Sequence, residues 1–225
     1  MKIRTPMSMV LLLSLAIGAS AAEHRVELTE SEFPDEVSNN VASEIDKKCF
    51  QIIRGTSRTV CEIWLCKEWA VKKDFAATNE VLYPFRSGQL IGVARFPRKG
   101  SDFRDQDIES GVYTLRYAQQ PVDGSHVGTS PTRDFLLLVS AEHDQDAKDM
   151  KVEDLVGHSA EAAGSGHPAM LCLQRVEGKA SDKPSMRHNE EHDWWILKLQ
   201  GTQNAGKETK ELPVDLVVVG ISSEV

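Results

Sequence analysis

Short runs of apolar or alternating residues, separated by Gly, Pro, Asp and Asn, recur along the chain after residue 50. Runs of this length between turn formers predict β-strands. The eight predicted strands are residues 50–54, 59–67, 90–96, 111–118, 135–141, 169–176, 194–200 and 213–221. Because no long helices separate them, the pattern predicts an all-β fold, specifically an antiparallel two-sheet β-sandwich of jelly-roll or Greek-key style.

Two of these strands differ in the burial that their patterns predict. Apolar side chains alternate with Thr114 and Arg116 along residues 111–118, which is typical of a sheet with one face in water. Residues 135–139 are apolar throughout, so that strand is predicted to be central and covered on both faces.

Helical periodicity occurs in only two places. Val37, Val41 and Ile45 recur every four residues, and residues 155–163 form a second amphipathic stretch that stops at Gly164. Glycine is favoured directly after a helix because it adopts the left-handed conformation at little cost. One or two short helices are therefore expected beside the strands.

The N-terminus has the organisation of an export signal. Lys2 and Arg4 precede an apolar core at residues 9–18, and small residues follow at 19–22. The apolar core is too short to span a bilayer as a helix. The sequence therefore predicts a signal peptide at residues 1–22, a single β-sandwich domain at residues 23–225, and a soluble periplasmic or secreted product.

The charge balance excludes several kinds of partner. The chain carries 26 Lys and Arg against 34 Asp and Glu, a formal charge of -8, and removal of Lys2 and Arg4 with the signal makes it more acidic. Nucleic-acid binders need clustered basic residues to neutralise phosphates. We therefore expect no nucleic-acid partner and no membrane contact after signal cleavage, and we see no cofactor motif.

The four cysteines are open to two interpretations in an exported protein. An oxidising compartment permits disulfides, and Cys49 and Cys61 flank a predicted hairpin that turns at residues 55–57. A bridge between Cys49 and Cys61 is the preferred pairing. The alternative is four buried free thiols, since free cysteine is among the most buried residue types.

The strongest candidate for ligand binding is the polar loop at residues 119–134. It is longer than a hairpin requires, and such loops are often functional. Arg133 is expected to act as a bidentate donor to an anionic or hydroxyl-rich ligand, and Asp134 as an acceptor. The candidate residues in this loop are His126, Thr129, Ser130, Thr132, Arg133 and Asp134. The alternative is a solvated loop that is tied to its own backbone.

Two further groups are weaker candidates. Trp194 would lie on the face of its strand opposite to Trp195, where it could stack on a sugar ring or a partner if that face were open. His188 and His192 are four residues apart, a spacing that suits a metal only on a helix. Because a strand follows them directly, a metal there is a weak prediction.

Enzyme motifs are incomplete. Residues 157–161 match the G-x-S-x-G nucleophile turn except for Glu161 in place of the last glycine. A hydrolase or metal-assisted enzyme would need at least two of His126, His158 and His167 to meet a carboxylate in one pocket.

Several longer runs carry a resemblance. The segments at residues 62–68, 102–138, 159–171 and 216–220, and above all GVYTLRY and PTRDFLLL, resemble those of an uncharacterised family of exported bacterial proteins. The resemblance implies export and a β-rich fold, and it implies no activity. Taken together, the sequence predicts a non-catalytic module that binds a small molecule, a glycan or a protein, with the enzyme as the alternative.

Overall fold

The structure is a computed structural model that describes residues 23–31, 33–122, 130–178, 183–206 and 208–222. The predicted signal peptide at residues 1–22 lies outside the described residues, so its assignment stays a prediction.

The described residues form mostly β-structure, as the sequence predicts. The strands are β1 His24–Glu30, β2 Ile45–Arg54, β3 Arg58–Cys66, β4 Trp69–Ala70, β5 Leu90–Phe96, β6 Gly100–Ser101, β7 Asp107–Ile108, β8 Gly111–Gln119, β9 Asp134–Ser140, β10 Met170–Gln174, β11 Ser185–Asn189, β12 Trp194–Asn204 and β13 Thr209–Val219. The helices are α1 Asn39–Ala42 and α2 Val152–Ala163. Each of the eight predicted strands corresponds to one of these strands.

The strands form one large curled sheet, and this differs from the expected pair of sheets. Its order is β1-β2-β3-β5-β8-β9-β10-β13-β12-β11, and β4 pairs with β12 in parallel, which makes the sheet mixed. Within the described residues, β6 and β7 pair separately, as a small second sheet. The sequence pattern shows which residues form strands, but it does not show that β10 pairs with both β9 and β13 and so joins the two halves into one sheet.

The sheet curls until its first strand approaches its last strands. Register irregularities interrupt the pairing of β2 with β3, of β5 with β8 and of β12 with β13, and such irregularities bend strands and increase their twist. As a result the ring of His24 in β1 lies 4.8 Å from the ring of Trp195 in β12.

Both faces of the sheet carry a hydrophobic core. The larger core includes Trp64, Trp69 and Tyr117, and the smaller core lies where α2 and Phe103 cover part of the other face. Strand β9 contributes alternate side chains to the two cores. The prediction that residues 135–139 are covered on both faces is therefore confirmed.

The predicted wet face of β8 is wrong. Thr114 and Arg116 are fully buried, because the segment after β9 folds over them and supplies Asp144. The Arg116 guanidinium donates to both carboxylate oxygens of Asp144, at 2.5 and 2.8 Å. A charged residue at an alternating position thus marks a buried ion pair here and not a solvent-exposed face.

Helix α2 ends as the sequence predicts. Gly164 adopts a left-handed conformation with φ 58°, and its N–H donates to the carbonyl oxygen of Glu161. In the middle of the helix the buried Ser159 donates to the carbonyl oxygen of Ala169, 2.9 Å away, which fixes α2 against the chain that follows it. Among the helices of the described residues, none has the length and apolar character needed to cross a membrane.

The preferred disulfide does not form. All four cysteines are buried free thiols, and burial raises the pKa of Cys61, Cys66 and Cys172 to about 12. In the β2–β3 pairing Cys49 lies opposite Trp64 whereas Cys61 lies opposite Ile52. The offset of three residues places the two sulfur atoms on opposite faces of the sheet, about 10 Å apart along the strand.

Candidate functional site

The polar loop before β9 is held by its own hydrogen bonds where the structure describes it. Thr132 donates to the carbonyl oxygen of Leu173 at 2.8 Å, Arg133 Nε donates to the carbonyl oxygen of Gln120 at 2.8 Å, and the Ser130 hydroxyl lies 3.0 Å from the sulfur of Cys172. His126 and Thr129 lie outside the described residues.

Asp134 is buried at the start of β9. One carboxylate oxygen accepts from the backbone N–H of Leu82 at 2.7 Å, and the other accepts from the hydroxyl of Tyr117. Burial raises the pKa of Asp134, although these two hydrogen bonds lower it. Asp134 therefore joins β9 to β8 and to the segment that contains Leu82, and its carboxylate does not face solvent.

Trp194 is likewise part of a core. Its indole is 3% exposed, donates to the carbonyl oxygen of Ile221 at 2.7 Å and packs edge-on against Phe103. The open face that a stacking platform requires is covered by the chain around Phe103, so Trp194 does not form one in this structure.

The two histidines of the weak metal prediction take part in separate contacts. His188 lies in β11, stacks on Trp195 and lies 2.7 Å from Asp193, whereas His192 stacks on Trp194. In the described residues, the group of three or more ligating side chains that the structure brings together consists of His143, His158 and Glu161. His188 and His192 do not belong to it.

A row of nitrogen-bearing side chains crosses three neighbouring strands at one end of the sheet. His24 in β1 is the register partner of Arg54 in β2, and Arg54 is the register partner of Arg58 in β3. Register partners of antiparallel strands point to the same face with their Cβ atoms about 5 Å apart. Gly55, with φ 61°, opens the short turn that brings the two arginines opposite each other.

This row lines a cavity of about 380 Å³, which we call the basic cavity. The loop after β5 adds Arg98 and Lys99 to its wall, and Phe96 and Val218 form apolar parts of the lining. Four permanent positive charges therefore face one carboxylate, that of Asp107, which is paired with Lys99 at 2.7 Å. The positive charge is concentrated here although the whole chain is acidic.

Three arginines of the basic cavity have no partner. In the part of the chain that the structure describes, the guanidinium groups of Arg54, Arg58 and Arg98 make neither a hydrogen bond nor an ion pair. Like charges directly opposite each other on neighbouring strands destabilise the pairing. An anion between Arg54 and Arg58 would remove this repulsion and would accept charge-assisted hydrogen bonds from both.

His24 lies at the β1 end of the row and is neutral at physiological pH. Burial, followed by the nearby charges of Arg54 and His188, lowers the pKa of His24 to about 4. Its Nδ1 atom is buried and has no hydrogen-bond partner among the described residues. A buried nitrogen without a hydrogen-bond partner costs about 1–3 kcal/mol, so a ligand that bonds to Nδ1 of His24 would relieve this cost.

A second cavity of about 300 Å³ continues from the first. It shares His24, Arg54, Ser101 and Val219 with the basic cavity and extends to His192 and Trp195. By contrast, a cavity of about 380 Å³ beside Val71 and Leu82 has two lysines and two carboxylates in its lining and carries no net charge. The basic cavity therefore differs from the cavity beside Val71 and Leu82 by its excess of positive charge.

The structure therefore defines a mostly-β protein with an unbalanced basic cavity at one end of a curled sheet. No protein-family model matches the chain, and no curated protein and no solved structure matches it significantly.

Proposed function

We propose that the protein is an exported, non-catalytic binding module whose basic cavity holds a small ligand with two or more phosphate or carboxylate groups. The observation that supports this most directly is the set of three unpartnered arginines, Arg54, Arg58 and Arg98, around one cavity of an acidic protein. The volume of the cavity, about 380 Å³, lies within the range of small-molecule sites.

The arrangement suits a multiply charged anion better than a neutral sugar. Arginine presents its N–H groups as a planar fork that matches phosphate and carboxylate oxygens in pairs. Arg54 and Arg58 come from adjacent strands, whereas Arg98 comes from the loop after β5, so a ligand with separated anionic groups can contact both sides of the cavity. His24 adds a ring with a buried, unsatisfied nitrogen at the β1 end of the row, beside Arg54.

The test is a calorimetric titration of the purified protein, residues 23–225, with inorganic pyrophosphate and with citrate at low salt. We expect binding of one equivalent of at least one of these anions. Arg54→Gln and Arg98→Gln should each weaken binding about tenfold or more, the equivalent of about 1.4 kcal/mol, because each removes a charge-assisted contact.

The matched control is Arg175→Gln, which makes the same charge change outside the cavity, where Arg175 donates to the carbonyl oxygen of Thr78. It should bind as the unchanged protein does. An equal loss in the control, or no binding of either anion, would contradict the proposal.

Export is a separate part of the proposal and has its own test. The observation behind it is the sequence at residues 1–22, and it agrees with the resemblance to exported bacterial proteins. When the full chain is expressed in a bacterium, we expect the product to collect in the periplasm or the medium with Glu23 as its first residue, as measured by intact mass. A product that keeps Met1 and stays in the cytoplasm would exclude export.

The alternative function, a hydrolase or metal-assisted enzyme that uses loop histidines, is favoured by one observation. His158 lies beside Glu161 and a second histidine, His143. The near-match to a nucleophile turn does not support a hydrolase, because Ser159 is fully buried and hydrogen-bonded to the backbone. No nucleophile is therefore assigned, and binding remains the favoured function.

A further inference from the structure

Two histidines and a glutamate lie together at the junction of α2 and the turn after β9. The Nδ1 atom of His158 is 3.3 Å from Oε2 of Glu161, and the Nδ1 atom of His143 is 3.7 Å from the same oxygen. The three ligating atoms all lie within 4.8 Å of one another. We call these three side chains the His-His-Glu group.

We propose that the His-His-Glu group binds one divalent transition-metal ion, with zinc as the reference ion. Zinc takes histidine nitrogens at about 2.0–2.1 Å and carboxylate oxygens at about 2.0–2.2 Å, so the ligands of a tetrahedral site lie about 3.4 Å apart. The separations of 3.3 and 3.7 Å are close to this spacing. The two histidine nitrogens lie within 4.8 Å of each other, a gap that rotation of their side chains can close. Two imidazoles select zinc and related ions over magnesium and calcium, which prefer oxygen ligands.

The two histidines are carried by segments that are held in place. His143 directly precedes Asp144, whose carboxylate is fixed by the buried Arg116, and the N–H groups of both His143 and Asp144 donate to the carbonyl oxygen of Ser140. His158 directly precedes Ser159, which is buried and bonded to Ala169. Metal sites gain affinity when their ligands are positioned in advance, and here the backbone at both histidines is held in place.

The surroundings favour a cation. His158 and Glu161 lie in the C-terminal half of α2, and Glu161 is in its last turn, where the helix dipole is negative. Glu161 also lines a neighbouring cavity of about 390 Å³ together with Glu36, Glu109 and Glu142, and no lysine or arginine belongs to this lining. Of these four, Glu109 lies 3.8 Å from Lys99.

Three protein ligands leave at least one coordination position open, as in catalytic zinc sites. The adjoining acidic cavity provides space for water or a small ligand at that position. The metal site is independent of the basic cavity, since the two linings share no residue. Failure of one proposal therefore leaves the other standing.

The test uses untagged protein that has been stripped with a chelator and then titrated with Zn²⁺ by calorimetry, and with Co²⁺ by visible absorption. We expect one equivalent of Zn²⁺ and, for Co²⁺, the visible bands of a nitrogen- and oxygen-ligated ion. His143→Ala, His158→Ala and Glu161→Gln should each weaken binding at least about tenfold, the smallest loss expected when a coordination site is damaged. Because all three side chains are substantially exposed, circular dichroism should show that the variants remain folded.

The matched control is His188→Ala, which removes another histidine that lies beside a carboxylate, that of Asp193. Zinc binding should survive this change, and a hundredfold excess of Mg²⁺ or Ca²⁺ should not displace the Zn²⁺. The proposal is overturned if His158→Ala binds zinc as tightly as the unchanged protein, if His188→Ala loses binding equally, or if Mg²⁺ displaces the zinc.

Discussion

Arg116 and the arginines of the basic cavity show two opposite ways of placing positive charge in one protein. Arg116 is 1% exposed, pairs with both oxygens of Asp144, and donates to the carbonyl oxygens of Gly88 and Lys148 at 2.6 and 2.7 Å. Arg54 and Arg58 are exposed, lie opposite each other, and have no partner in the described residues.

The difference separates a charge that is neutralised within the fold from charges that have no neutralising group among the described residues. A buried charge is tolerated only when it is paired and hydrogen-bonded, and Arg116 meets this condition with partners from the chain itself. An exposed pair of like charges contributes nothing to folding and opposes it slightly. With the anion that we propose, Arg54 and Arg58 would gain the charge-assisted contacts that Arg116 obtains from the chain itself.

The largest expected effect tests the buried charge of Arg116. Asp144→Ala leaves Arg116 buried without its counter-charge, so the free energy of unfolding should fall by about 3–5 kcal/mol. Urea denaturation at neutral pH measures this change. Asp149→Ala is the control, because it breaks the exposed pair with Arg86 and should cost no more than about 1 kcal/mol. Equal losses in the two variants would contradict the distinction between the two regions.

A smaller effect is expected from His24, which lies where the basic cavity meets the core. The folded protein holds the pKa of His24 at about 4, whereas an unfolded histidine titrates near 6.5, so below pH 6.5 the unfolded state takes up the proton first. Protonation of His24 therefore does not affect the free energy of unfolding above pH 6.5. As the pH falls from 6.5 towards 4, it lowers the free energy of unfolding by at most about 3 kcal/mol.

Urea midpoints measured between pH 7 and pH 4 test this expectation. His24→Phe, which keeps a ring against Trp195, should lose less stability across that window than the unchanged protein. His167→Gln is the control, since His167 is exposed and its removal should leave the pH dependence as it was. A His24→Phe curve parallel to that of the unchanged protein would show that His24 is not responsible.

The smallest effect concerns Arg54, one of the arginines of the basic cavity. Without ligand, Arg54→Gln removes repulsion from Arg58 and should leave the free energy of unfolding unchanged or raise it by up to about 0.5 kcal/mol. Added pyrophosphate should raise the midpoint of thermal unfolding of the unchanged protein more than that of the variant. A clear loss of stability in ligand-free Arg54→Gln would show that Arg54, like Arg116, stabilises the fold.

The sequence predicts the strands of this fold better than their arrangement. Apolar runs identify β5, β9 and β12 because the residues of these strands are buried in any order of the strands. Strand β11, SMRHN, escapes prediction because an edge strand with polar residues has no alternating pattern. The curl depends on register irregularities, which leave no regular signature in the sequence.

The candidate site was predictable only in part. The hairpin turn at residues 55–57 follows from the sequence, and a turn of this length places Arg54 opposite Arg58. This pairing is the sequence signal for the basic cavity. The described residues of the polar loop before β9 hold the backbone, and such residues cannot be told in sequence from polar residues that hold a ligand. His143 and His158 are fifteen positions apart, and only the packing of α2 on β9 brings them together.

The curl of the sheet also affects how this protein meets other copies of itself. Edge strands carry unpaired backbone N–H and C=O groups, onto which a strand from another molecule can add. Here the edge strands β1 and β11 approach each other, and the rings of His24, Trp195 and His188 lie at their junction. Where the two edges meet they cover each other in part, so the curl reduces the length of edge that is open to strand addition.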